Sequence, residues 1–73
     1  MVALPILSGA ECIKGLARLG YVVVRQRGSH VRLRCPNRSP LTVPLHGVLD
    51  RGTLRAILRA AGLTVEEFLT LLA

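Results

Sequence analysis

His30 is the residue in this chain best suited to move a proton, and it sits among cations. Arg25, Arg27, Arg32 and Arg34 all lie within five positions of it, and Gly28-Ser29 immediately precedes it. From His30 onward the chain alternates, with His30, Arg32 and Arg34 on one parity and Val31, Leu33 and Cys35 on the other. A strand has period two, so three apolar side chains turn into a core while the imidazole and two guanidiniums point away from it. Same-face neighbours on a strand lie about 6.6 Å apart. At that spacing His30 can act on one group while Arg32 holds the charge beside it, a layout suited to a phosphodiester chain.

The chemistry open to such a site is narrow. Asp50 is the only aspartate and reads as a helix cap, so no Ser-His-Asp set can be assembled. No cluster of carboxylates is available to hold Mg²⁺ in the two-metal manner. What fits a histidine among arginines is metal-free, cofactor-free cleavage of RNA, whose own 2′-OH is the nucleophile. That reaction needs a base working near pH 7, an acid for the departing 5′-oxygen, and cations on the phosphate. His46 is either the partner acid or a loop residue. Gly28 allows a positive φ and close approach of a ligand to the backbone, and Ser29 either bonds a phosphate or caps the turn. A zinc site from Cys12, Cys35, His30 and His46 lacks paired ligand spacing, and both cysteines fall on apolar parities, so no metal is expected.

Charge points the same way. The formal net charge is +6, and nine of the ten cations are arginine. A guanidinium fork suits bidentate phosphate contacts better than an ammonium does. The expected partner is therefore a polyanion. Tyr21 and Phe68 are the only aromatics, too few for the base-stacking platforms of single-strand binders. Seventy-three residues suit one domain, here spanning 1–73, and 51% apolar content argues for a folded core. Neither a secretory leader nor a run of about 20 apolar residues is visible. The expected compartment is the cytoplasm, with both thiols reduced and no membrane association.

The elements that must position these residues can be read in order. Ser8-Gly9-Ala10-Glu11 is a capping box before a helix over 9–19, with Cys12, Ile13, Leu16, Ala17 and Leu19 inward and Gly20 as its stop. A strand over 21–26 follows, then a turn at Arg27-Gly28-Ser29 and a strand over 30–35. A turn over 36–40 leads to a third strand over 41–45, with Leu41, Val43 and Leu45 inward. Pro44 cannot donate to a ladder, which places this strand at a sheet edge. Asp50 caps a helix over 51–61 that carries an exposed ridge of Arg51, Arg55 and Arg59, and Thr64 opens a short third helix. The expectation is an α+β fold of helix, three-stranded antiparallel sheet and helix (α-β-β-β-α) plus a short C-terminal helix. On it Arg25, Arg32 and Arg34 share a face without an acidic cross-strand partner.

Four blocks in this order carry a resemblance: Leu4-Pro5-Ile6-Leu7-Ser8-Gly9, Gly28-Ser29-His30, Thr42-Val43-Pro44-Leu45-His46, and Gly52-Thr53-Leu54-Arg55-Ala56-Ile57-Leu58. Together they resemble the HicA mRNA interferase toxins over nearly the whole chain. The resemblance implies a double-stranded-RNA-binding-domain-like fold and an RNA-cleaving toxin that blocks translation, held inactive by a HicB-type antitoxin. It also implies that the family's catalytic histidine falls on His30, with basic residues at Arg25, Arg27, Arg32 and Arg34. Two other readings stand beside it. One is a non-catalytic double-stranded-RNA-binding module that uses the arginine ridge at 51, 55 and 59. The other is an adaptor whose basic face docks an acidic protein.

Overall fold

The computed structural model describes residues 3–73. Its order is α1 (Gly9–Leu19), β1 (Val22–Arg27), β2 (His30–Cys35), β3 (Arg38–Pro44), α2 (Arg51–Ala61) and α3 (Val65–Leu72). The strands form one antiparallel sheet in the order β1-β2-β3, with the helices gathered on one face. This is the expected α+β layout.

Each helix starts where a polar side chain can serve the first turn's unpaired amides. Ser8 and Thr64 form capping boxes with Glu11 and Glu67, and Asp50 accepts from the Thr53 amide at 2.8 Å. The stop of α2 uses Gly62 at φ 73°, whose neighbour Leu63 donates its amide back to the Leu58 carbonyl at 2.9 Å.

Two tight turns set the sheet. Arg27 pairs with His30, so Gly28 and Ser29 are the whole loop. Gly28 has φ +59° with open space where a Cβ would go; backbone handedness, not crowding, asks for glycine there. The second turn is shorter than expected. Cys35 pairs with Arg38, leaving only Pro36 and Asn37 in the loop. Pro at the first position and Asn at φ 65° at the second satisfy a type II turn, so pairing resumes at Arg38 rather than Leu41.

The core lies between β2, β3 and the helices. Val31, Leu33, Leu41 and Val43 from the sheet meet Cys12, Leu16, Leu54, Ile57, Leu58, Ala61 and Phe68. Three inward assignments need correction. Ala17 is exposed, and Gly15 takes its place in the α1 interface, against Phe68 and Leu72 of α3. Leu45 is 39% exposed because it follows the end of β3. Cys35 is only half-buried, at the strand end beside the turn. Close approach is required at Gly9, where an added Cβ would collide with the Pro44 carbonyl; its amide donates to His46 O at 2.9 Å. That contact ties the start of α1 to the end of β3.

Candidate nucleic-acid interface

The face of the sheet away from the helices is built by register. On that face Arg25 stands opposite Arg32 and Arg32 opposite Thr42, while Arg27 stands opposite His30 and His30 opposite Pro44. Opposed residues bring their Cβ atoms to about 5 Å, so these form two adjacent rows across three strands. Arg34 continues the face beyond Arg32, opposite Val22. All the expected interface residues on β1, β2 and their hairpin are therefore neighbours: Arg25, Arg27, Gly28, Ser29, His30, Arg32 and Arg34.

The two-residue turn fixes this arrangement: counting back from Arg27 opposite His30 sets Arg25 opposite Arg32. Beyond Arg25 a β-bulge interrupts the ladder, where two steps along β1, from Val23 to Arg25, answer one step along β2, from Leu33 to Arg32. An unbroken ladder from the turn would set Val24 opposite Leu33 and Val23 opposite Arg34; the extra residue puts Val23 opposite Leu33 and Val22 opposite Arg34 instead. The alternation in β2 announces its face directly; nothing in Val22-Val23-Val24 marks the shift.

Arg25, Arg27, His30, Arg32 and Thr42 enclose an open cavity of about 240 Å³. Thr42 belongs in this wall, and its Oγ1 accepts from the Arg32 guanidinium at 3.1 Å. That bond steers one cation along the sheet surface. Among the described residues, Arg25, Arg27 and Arg34 donate to no protein acceptor, so their forks stay available to a ligand. Of the four carboxylates, Glu11, Asp50 and Glu67 are engaged at helix starts. The hairpin is braced beneath: the Gln26 side-chain amide donates to Gly28 O at 3.1 Å, and the Leu45 amide to Ser29 O at 2.6 Å. These hold the turn backbone just before His30 while the residue itself stays exposed.

His46 does not line this cavity. It is exposed in the loop after β3, where its carbonyl accepts from the Gly9 amide. Cys12 lies wholly inside the core, where burial pushes its thiol up to about 12, so it is inert near neutrality. Among the described residues no three of His, Cys, Asp and Glu come together as a metal-binding group. A second cavity of about 290 Å³ lies between Pro5–Leu7, α1 and Leu72 and contains Glu11, Lys14 and Arg18. Glu11 is already bonded to Ser8, and Arg18 to the carbonyls of Leu71 and Ala73. Among the described residues, Lys14 alone is left without a bonded partner there, whereas the basic groove gathers three arginines and a histidine.

No helix among the described residues is long and apolar enough to cross a membrane. Arg51, Arg55 and Arg59 are exposed along α2, a separate element from the groove.

Comparison with known proteins gives two findings. The family model for the HicA toxin of bacterial toxin–antitoxin systems matches residues 9–63. Among solved structures, a chain of a toxin–antitoxin complex from Streptococcus pneumoniae is similar, at 34% identity and a TM-score of 0.68. The alignment covers 78% of the present chain and 98% of that one. No curated protein matches.

Proposed function

The chain belongs to the HicA toxin family of bacterial toxin–antitoxin systems, and from that premise we propose that it is an mRNA interferase, a metal-independent endoribonuclease that stops translation. The observation that carries this reading is the juxtaposition of one exposed imidazole with three guanidiniums in a single groove. His30 takes the proton from a ribose 2′-OH. The resulting oxygen attacks the adjacent phosphorus, forming the 2′-O–P bond as the P–5′-O bond breaks, and the departing oxygen is protonated from solvent. Arg25, Arg27 and Arg32 hold the phosphate as negative charge builds on it. Gly28 and Ser29 present the turn backbone and a hydroxyl to the same strand, and Arg34 extends the track. His46 lies outside the groove and takes no part in this scheme. No cofactor enters it. The partner implied by a toxin of this kind is an acidic antitoxin of the HicB type that neutralises the basic face.

The test is incubation of the pure protein with single-stranded RNA in EDTA. Cleavage should persist, be blocked by 2′-deoxy substitution at the cut site, and disappear in His30→Ala. Binding without cleavage, unchanged in His30→Ala but lost when Arg51, Arg55 and Arg59 are neutralised, would establish the non-catalytic module instead. The exposed α2 ridge supports that second reading.

A further inference from the structure

β1 closes the sheet on one side, and among the described residues nothing pairs with its outer edge. Every residue of β1 is exposed, and its substantial packing is with β2 alone. Val22, Val23 and Val24 are 60%, 53% and 50% exposed, three consecutive β-branched side chains on an edge strand. The opposite edge is protected. β3 carries Pro40 and Pro44, which offer no amide to an incoming strand, and Arg38 clamps it to the end of α2 through the Ala61 carbonyl. β1 has no proline and, among the described residues, no covering element. A free row of amides and carbonyls beside apolar side chains is a template for strand addition.

We infer that the outer edge of β1 docks an extended, acidic segment of a partner protein as a fourth strand of the sheet. The register dictates the segment's pattern. On the groove face it meets Val22, then Arg25 and Arg27; on the helix-side face it meets Val23 and Gln26. Alternate side chains on the segment are therefore acidic toward the arginines and apolar toward Val23, a period-two pattern. Charge selects this occupant. A second copy of the chain would bring Arg25 and Arg27 against the same groups on a molecule already at +6. RNA gains little from the valines. Docking also places carboxylates on two of the guanidiniums that line the His30 groove, so partner and RNA compete. That competition rests on the reading of the groove given above; the docking itself does not.

The probe is a ten-residue peptide of alternating valine and glutamate, titrated into the full chain and followed by backbone amide shifts and hydrogen exchange. Binding should protect amides of β1, leave β3 unchanged, and weaken with salt. The double variant Val23→Ser/Val24→Ser, which removes the apolar contact without adding charge, should bind at least about tenfold more weakly while keeping its melting temperature. A valine–lysine peptide should not bind. Equal affinity for the wild type and the double variant, or protection on β3 instead of β1, overturns the proposal. So does valine-dependent self-association of the free chain. The peptide should also lower RNA affinity in a binding assay. Docking on β1 with RNA affinity unchanged overturns the competition, whereas a chain that docks the peptide but never binds RNA refutes the nuclease reading alone.

Discussion

β1 and β3 flank the same central strand and do opposite work. β3 buries Leu41 and Val43, packs against α2 and α1, and is tied down by Arg38 and by the Gly9–Pro44 contact. β1 buries nothing and contributes cations and exposed valines. Between them β2 divides by parity, with Val31 and Leu33 toward the helices and His30, Arg32 and Arg34 toward the groove. Stability is thus concentrated on one side of the sheet and chemistry on the other. Substitutions should sort accordingly.

The sharpest break is within β2. His30→Ala should cut RNA cleavage by about 10² to 10⁴-fold with an unchanged melting temperature, because the ring is exposed and supports no packing. Leu33→Ala, three residues along on the buried face, should destabilise the fold by about 2–5 kcal/mol in denaturant titration. A domain of 73 residues has a thin margin, so that loss is enough to unfold much of the population. A His30→Ala protein that melts early would undo the division between the two faces.

The flanking strands allow the same comparison with one substitution. Val43→Ala on β3 removes fully buried methyls and should cost about 2 kcal/mol. Val23→Ala on β1 should stay within about 0.5 kcal/mol, since half its surface already faces water. Arg27→Ala is expected to leave stability alone and weaken RNA binding across sequences. It should also reduce the slope of log affinity against log salt by about 0.7, the value for one lost phosphate contact on a single strand. If Arg25 and Arg27 prove silent while Arg32 and Arg34 matter, β1 does not serve the groove.

Much of this division was readable beforehand. The capping boxes at Ser8 and Thr64 and the Asp50 cap mark helix starts because each is a short-range chemical pattern. The alternation from His30 to Cys35 marks a strand with two unlike faces for the same reason. Less visible was anything that depends on pairing between strands. The second turn contracts to Pro36-Asn37 because Arg38 finds a partner in Cys35, and local composition could not show that. The exposure of Val22, Val23 and Val24 runs against their hydrophobicity, since the helices are gathered over β2 and β3 and not beneath β1. The bulge that turns Val23 rather than Val24 toward the helix side leaves no trace in residue types. His46, readable as either a partner acid or a loop residue, lies exposed in the loop because the chain leaves the sheet after Pro44.

The smallest expected effect tests the stable half alone. Glu11, Asp50 and Glu67 each accept a backbone amide at 2.8 Å, from Ser8, Thr53 and Thr64 in turn. Those bonds hold all three carboxyls below their ordinary values, the backbone bond being the largest cause in each. A carboxyl whose folded value is depressed binds protons more readily in the unfolded chain. Its contribution is therefore complete above the usual carboxylate range, about 3.9–4.3, and is lost as pH falls through the lower folded value. Melting temperature should hold level from pH 7 to about 5 and decline below about 4. The decline should be shallow, because all three groups are exposed and solvent screens them. Replacing Asp50 with Asn, which still caps but does not titrate, should flatten part of it. None of these groups lies on β1 or β2, so at pH 5 the groove should bind RNA through its arginines with its scaffold intact. Loss of the fold already at pH 5 would show that the caps are not what acid removes first.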